Sequence, residues 1–432
     1  MISAAAHFRR SLKLLALALL AGCPALALAQ LPPPNVLLTE PRPALLAVGP
    51  MDIHVRASTS FVYDDNINLH QQRRVSDGIG TGGNQVPQGD DFIYTFSPGV
   101  VVTKAETLED SRSKFSVEYS PAFVFFIKND RENSIDHTAK LEGGYALTKL
   151  TLGLVQDFAS TAGGVIDVGT RVRQKNYRTA ITMRYELTEK TFFQTDGTYR
   201  ITDYQTLTGS EEWSVVPTVN YQISPKVTLG LGLTYGELLV GERTSHSVTN
   251  GTNITTFTTV KPQPQTYLGP TLRASYKTTE KTDVSLSVGA EWRMYSDGSS
   301  AFSPVFSLAG TYRPFEGTSL AIEGHRRQQN SAVLNGANFI STGASISVRQ
   351  RLRERLFGTM SVTLDNSDYQ PAHRGVQTTR QDDYFLLRYG VEAIVGRSWS
   401  VGLFHQYRED ISTEKNFSFN NNQVGIQASW GY

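Results

Sequence analysis

The sequence predicts an all-β protein: a transmembrane antiparallel up-and-down β-barrel of about eighteen strands, within a range of sixteen to eighteen. Three observations predict it. Apolar and polar residues alternate with period two through most of the chain, and period two means strands with two unlike faces. Connections alternate between short and long, as in barrels with short turns on one side of the membrane and longer loops on the other. No apolar run of helix-spanning length follows residue 30, which excludes membrane crossing by helices.

Composition agrees. Hydrophobic residues are only 39% of the 432, yet there are 19 Tyr and 21 Phe, too many aromatics for a disordered chain. The single cysteine excludes a disulfide scaffold and a cysteine-based zinc site. The balance of 41 basic against 40 acidic side chains gives no electrostatic reason to expect nucleic acid.

The N-terminus reads as an address. Arg9, Arg10 and Lys13 precede the apolar run Leu14 to Leu20, and Ala27-Leu28-Ala29 forms an A-x-A cleavage site, so residues 1–29 are expected to be a secretory signal peptide. Their removal leaves 38 basic side chains against 40 acidic. A competing signal is present: Leu20-Ala21-Gly22-Cys23 resembles a lipoprotein lipobox, which would tether Cys23 by acyl chains. Pro24 and the apolar residues after it favour ordinary cleavage near Ala29. Residues 30–51 carry Pro32, Pro33, Pro34, Pro41, Pro43 and Pro50, a density that opposes helix and sheet. They are read as an extended periplasmic segment, with the barrel occupying 52–432.

Within the barrel the apolar faces can be enumerated. Phe115, Val117, Tyr119, Pro121, Phe123, Phe125 and Ile127 share one face; Tyr177, Ile181, Met183, Tyr185 and Leu187 share another. Trp213 to Ile223, Val227 to Tyr235, Val284 to Met294 and Phe302 to Tyr312 repeat the pattern. Runs of about 11–14 residues suit a tilted membrane strand better than the shorter strands of a soluble sandwich. Short turns fall near Thr148-Lys149, Thr188–Lys190, Ser224-Pro225, Lys277–Lys281, Arg313–Gly317, Arg351–Glu354 and Gly396–Ser398, with a longer one at Lys104–Ser111. Loops are expected at Asp64–Asp90, Lys128–Asp136, Ser160–Gln174, Asp203–Ser210, Gly241–Pro264, Ser296–Ser300, Arg326–Gly336, Asp365–Asp382 and Glu409–Asn416. Aromatics near strand ends, among them Tyr63, Tyr94, Tyr221, Tyr235, Tyr267, Tyr276, Tyr312, Trp399, Tyr407 and Trp430, are expected to form interfacial girdles. The final strand, with Gln423, Gly425, Ala428, Trp430 and Tyr432, resembles the C-terminal assembly signal of outer-membrane barrels. That resemblance implies the barrel assembly machinery as a partner, docking by strand addition.

Tyr63-Asp64-Asp65-Asn66-Ile67, Phe96-Ser97-Pro98-Gly99-Val100 and Tyr185-Glu186-Leu187-Thr188-Glu189-Lys190-Thr191 carry a wider likeness. With them the body of the chain resembles a family of outer-membrane β-barrel porins associated with exopolysaccharide biosynthesis and export loci. The resemblance implies a pore in the outer membrane of a Gram-negative bacterium. It also implies polysaccharide as passenger and a periplasmic polysaccharide export protein as partner, with outer-membrane lipid around the barrel.

Candidate chemistry is sparse, and no catalytic, cofactor-binding or metal-ligating set is expected. No His-x-Ser strand pair stands out among His137, His246, His325 and His373. Asp64, Asp65, Asp77, Asp90 and Asp91 on a glycine-rich loop fit no EF-hand spacing. The lumen is the expected functional surface. Strand polarity turns Arg178, Arg184, Arg200, Arg273, Glu291, Arg293, Glu323, Arg349, Arg388, Glu392 and Arg408 inward as candidate pore-lining residues. Both signs are present, so cross-strand ion pairing is expected for many. Arginine with inward Tyr295, Tyr384 and Phe404 also suits hydroxyl-rich or acidic sugars. An export pore leads; a general diffusion or uptake porin and a structural or adhesive barrel with a plugged lumen are the alternatives. Loops Asp64–Asp90 and Gly241–Pro264 are long enough to gate or plug, whereas Ser160–Gln174 is short for a constriction.

Overall fold

The computed structural model describes residues 45–69, 89–104, 112–165, 167–205, 207–241, 243–248, 255–260, 263–278, 281–334, 336–372 and 378–431. After β1 (Leu46–Val48) come β2 (Met51–Asp64), β3 (Asp91–Lys104), β4 (Ser113–Phe126), β5 (Ser134–Ala146), β6 (Leu150–Val165) and β7 (Thr170–Glu186). They are followed by β8 (Thr191–Tyr204), β9 (Ser210–Ser224), β10 (Val227–Val240), β11 (Arg243–Val248), β12 (Thr255–Val260), β13 (Gln263–Thr278) and β14 (Thr282–Tyr295). The last are β15 (Ser300–Tyr312), β16 (Thr318–Asn330), β17 (Ala337–Arg353), β18 (Leu356–Pro371), β19 (Gln381–Val395), β20 (Trp399–Ser412) and β21 (Phe419–Gly431). β11 and β12 form their own hairpin; the other nineteen strands make one sheet. Eighteen of these, all but β1, pair antiparallel with both neighbours, and β2 closes the ring on β21 from Arg56↔Gly431 to Asp64↔Gln423.

The alternation that predicted the strands is what the barrel wall uses. Leu231, Leu272, Phe302 and Leu403 stand 62%, 60%, 59% and 56% exposed on the outer face. Such a band is stable only against lipid. Tyr267 departs from the expected girdle. It lies buried on the inner face, where its hydroxyl donates to Glu212 at 2.9 Å.

Prolines interrupt the ladders where they lack a donor. Pairing of β3 with β4 skips from Phe96↔Phe123 to Val100↔Tyr119, leaving out Pro98 and Pro121. Pairing of β13 with β14 skips Gly269-Pro270. There the backbone of Ala290 comes so close that a Cβ on Gly269 would overlap its carbonyl.

Several expected loops are strand. β6 runs to Val165 and β7 starts at Thr170, so most of Ser160–Gln174 is ladder; β16, β18 and β20 likewise extend to Asn330, Pro371 and Ser412. The reason is height. A strand of about sixteen residues, rising ~3.3 Å per residue at a tilt of ~40°, outreaches an apolar band about 25 Å tall. Above the lipid both faces are polar, so pairing continues where the hydrophobic alternation has ended. One three-residue strand also forms in the proline-rich leader: β1 lies between Pro43 and Pro50 and folds back on Met51–Ile53.

One seam is only half closed. β15 and β16 pair from Tyr312↔Leu320 to Phe306↔Arg326 and no further, although β15 stays paired with β14 to Ser300 and β16 with β17 to Asn330. Above that point the ends of β16, β17 and β18 fold into the lumen as a three-stranded tongue, joined to the wall through β18, which stays laddered to β19 up to Asp368↔Gln381. Gln328 Nε2 donates to the Tyr295 hydroxyl at 3.0 Å, and Asn338 Nδ2 donates to Gln265 Oε1 at 2.8 Å. Gln328 and Asn338 share strand faces with the exposed Ile322 and Ile346. Gln265 and Tyr295 lie opposite the exposed Leu268 and Met294. The outer face of the tongue therefore packs on the inner face of the β13–β14 wall.

Candidate functional site

The tongue is met from across the barrel. β7 and β18 are nine strands apart around the eighteen-strand ring, so the β6–β7 turn and β18 rise from opposed walls. Asp167, in that turn, joins them. Its Oδ1 accepts from the Tyr369 hydroxyl at 2.8 Å and from Ser331 Oγ at 2.9 Å; its Oδ2 accepts from the Ala332 N–H at 2.7 Å. Arg380 Nη1 stands 3.9 Å away. Arg380 itself is wholly buried, its Nη2 2.6 Å from Asp382 Oδ2. Its guanidinium lies between two rings, 4.3 Å from the centroid of Tyr369 and 3.6 Å from that of Phe417. Gly169 fits the same junction: its φ of +65° makes the turn, and a Cβ there would press on Phe417. On the β8–β9 side, the Thr208 N–H donates to the Ala332 carbonyl at 3.2 Å.

This latch is charged and dry. Burial pushes the Asp167 carboxyl above its ordinary value, against the Ala332 N–H, the Arg380 charge and the two hydroxyls. Burial also works against the Arg380 cation, but Asp382, Tyr369 and Asp167 outweigh it and hold that group above its ordinary value. The raised Asp167 value gives the latch a pH dependence. The latched state binds the proton more tightly than an opened one, so this contribution to latching is fully present below 3.8 and is lost as pH rises through the raised value. Channels recorded in a planar bilayer are expected to open more often as pH is raised above 3.8 and through that raised value. Asp167→Asn is expected to flatten that dependence.

The predicted lumen residues divide by surroundings. Arg178 pairs with Asp157 at 3.0 Å, Arg184 with Glu186 at 2.7 Å and Arg200 with Glu212 at 3.5 Å. Arg273 reaches Asp196 at 2.5 Å across the two intervening strands β9 and β10. Arg293, buried, pairs with Glu291 at 2.7 Å and donates to Gln265 at 3.1 Å under the tongue. Arg408 donates to Asn421 at 2.7 Å. Glu392 is buried low on β19, and Glu323 is exposed on β16. Three arginines lie flat on inward phenylalanines: Arg184 on Phe192 at 3.6 Å, Arg349 on Phe357 at 4.1 Å and Arg388 on Phe404 at 3.9 Å. Arg388 also donates to Gln406 at 3.0 Å, and no carboxylate is in ion-pair range of it among the described residues.

Gln423, Gly425, Ala428 and Trp430 lie in β21, the first of them donating to Asp64 at 2.6 Å; Tyr432 is outside the described residues, as are Cys23 and the rest of residues 1–44. The Tyr63-Asp64-Asp65-Asn66-Ile67 motif clasps the closing seam. Asp64 takes the Asn66 N–H and the side chains of Asn421 and Gln423, while Asp65 takes the N–H and side chain of Asn422. Asp91 takes the N–H groups of Phe92, Ile127, Lys128 and Asn129. These carboxylates are occupied by N–H donors; Asp77 lies outside the described residues.

Sequence reasoning missed the latch because neither Asp167, set between Ile166 and Val168, nor Arg380, in a polar stretch, belongs to a local pattern that points to the other. It also missed a Ser-His-Asp contact made only by register. His325 Nε2 is 2.9 Å from Ser341 Oγ and 3.0 Å from Asp365 Oδ2, and Ser341 itself donates to Asp365 at 3.0 Å. One ring nitrogen faces both partners, so the carboxylate does not orient the histidine toward the serine as a proton relay requires. The trio instead ties β16, β17 and β18 together at the root of the tongue.

No family model and no curated protein sequence matches the chain. Among solved structures, OpdQ of Pseudomonas aeruginosa is 10% identical, with 88% of this chain and 97% of that one covered and a TM-score of 0.41. OccAB2 of Acinetobacter baumannii is 11% identical, with 88% and 98% covered and a TM-score of 0.42. A bacterial polysaccharide outer membrane secretin is 7% identical, with 88% and 98% covered and a TM-score of 0.32. These likenesses are too distant to bear on function. The chain's own closed ring and its outward apolar band make it an eighteen-stranded β-barrel of the Gram-negative outer membrane.

Proposed function

We propose that this barrel is a gated pore through which an exopolysaccharide leaves the cell. The supporting observation is the tongue. A general diffusion porin needs a standing opening, whereas here three wall strands cross the mouth and latch to the far side. An exporter that opens only for its passenger tolerates such a closure. The arginines stacked on Phe192, Phe357 and Phe404 favour a sugar polymer that carries carboxylates: a guanidinium fixed by a ring keeps its fork in position for bidentate contacts. On this reading the leader is cleaved near Ala29, β21 is handed to the barrel assembly machinery, and a periplasmic export protein delivers the polymer to the open end. The same tongue is also what a plugged adhesive barrel would have.

Deletion of the gene separates the two. Loss of surface polymer with periplasmic accumulation, restored by the intact gene, is the expected result. Unchanged polymer together with conductance in a planar bilayer would turn the assignment to solute passage. Unchanged polymer without conductance would turn it to the plugged barrel.

A further inference from the structure

Above Phe306↔Arg326 two strand edges stand without a ladder partner on the facing side: Ser300–Val305 of β15 and Arg327–Asn330 of β16. No backbone hydrogen bond of a turn or loop takes their place among the described residues. A bare edge in a barrel wall is a template for pairing. The template for each is at hand in the other. Continued upward, the register of the paired half sets Val305 against Arg327, Pro304 against Gln328, Ser303 against Gln329 and Phe302 against Asn330.

We propose that β16 exchanges between two seats: the tucked one, latched at Asp167, and a zipped one in which it completes its ladder with β15. In the zipped seat the tongue rejoins the wall and the mouth opens.

The composition of the tongue fits both seats. When zipped, its outer face turns Arg326, Gln328 and Asn330 of β16 and Asn338, Ile340 and Thr342 of β17 outward, polar at every position but Ile340, one level above the lipid-facing Leu320, Ile322, Ile346 and Val348. Polar side chains there meet water. When tucked, Gln328 and Asn338 bond to Tyr295 and Gln265. The tongue can move as one sheet, because β16–β17 pairing runs unbroken to Asn330↔Asn338 and β17–β18 pairing to Ala337↔Pro371. The exchange trades the Asp167, Tyr295 and Gln265 bonds for ladder bonds along β15: the tucked seat satisfies those side chains and leaves the two edges bare, and the zipped seat pairs the edges and gives up the side-chain bonds.

Cysteine pairs test this in the intact barrel. S303C/Q329C can form a disulfide only when zipped, and T208C/A332C, which leaves Asp167 in place, only when tucked, given the short reach a disulfide allows. P304C/Q328C supplies a second zipped pair of the other ladder type should the first fail to fold, with folding judged by heat-modifiable gel mobility of the reduced protein. Peptide mass spectrometry after mild oxidation scores the cross-links, and planar-bilayer recording scores the opening. Both pairs are expected to cross-link. The zipped disulfide is expected to raise conductance several-fold until reductant is added, and the tucked one to abolish opening. Failure of both zipped pairs to cross-link in folded barrels overturns the exchange. A zipped cross-link that leaves a conducting barrel unchanged overturns its role as a gate. The proposal rests on the pore reading only for conductance: if neither locked form passes ions, the pore reading fails, and the cross-links alone decide the exchange.

Discussion

Replacing Asp167 with alanine is expected to leave the barrel folded and its mouth open. The carboxylate collects the Tyr369 hydroxyl, Ser331 Oγ and the Ala332 N–H within 2.9 Å. Truncation strands these donors in the closed state, where each unsatisfied polar group costs about 1–3 kcal/mol. In the open state they meet water and cost nothing. Arg380 keeps its partner Asp382, so no isolated buried cation adds to the penalty. A net shift of ~3 kcal/mol moves the closed-to-open ratio by about two orders of magnitude. Single-channel recording should show a small wild-type open probability becoming large in the variant. Asp167→Asn, which keeps one acceptor oxygen but sets an amide against the donors, should fall between. An unchanged record would mean that the contacts with Gln265 and Tyr295 hold the tongue without the latch.

The second large effect belongs to stability. Asp64 is 2% exposed and accepts from the Asn66 N–H at 2.8 Å and from Gln423 Nε2 at 2.6 Å, with Asn421 Nδ2 as a third donor. It stands where the first and last barrel strands meet, at the upper end of a ladder from Arg56 to Asp64. This is the seam that closes the ring between the first and last barrel strands. Asp64→Ala leaves the Asn66 N–H and the Gln423 amide unpaired, at a cost of ~3 kcal/mol, while Asn421 keeps Asp65 and the Asn66 carbonyl as acceptors. The variant should lose its compact, heat-modifiable gel band at a lower temperature than the wild type. A matching change at an exposed acid such as Glu189 should not. An unchanged melting temperature for Asp64→Ala would remove the seam role.

How much of this was legible in the sequence depends on height in the membrane. Inside the lipid one face must be apolar and the other not, so Phe123 and Phe125 or Leu229 and Leu231 announce both strand and orientation. Above the lipid that constraint ends. Asp365-Asn366-Ser367-Asp368 reads as a loop by composition and is ladder in the structure. Ser160–Gln174 reads as a short loop unable to constrict anything; only Asp167 at its turn matters, and its partners lie more than 160 residues away in sequence. The inward arginines were legible as a face but not as pairs. Arg273 meets Asp196 across two strands, which no local spacing encodes. The Tyr-Asp-Asp-Asn motif was visible as a motif, yet its purpose depends on Asn421 and Asn422 at the other end of the chain.

The half-closed seam has a consequence for the direction of flow. Below it, eighteen strands set the calibre of the bore; above it, β16 and β17 bend inward from β18, which stays laddered to β19, and take up cross-section instead. The conduit is therefore a cone, wide at the end of the short turns and narrow at the end of the tongue. A cone lined by fixed charge rectifies: ions gather or thin out at the tip according to the sign of the applied voltage, so current differs between the two polarities. On the proposed export reading the same taper would act as a ratchet of shape: a polymer threaded from the wide end would meet a tongue rooted behind it and push its tip aside, while one arriving at the narrow end would meet that tip head-on, pressed against the β13–β14 wall.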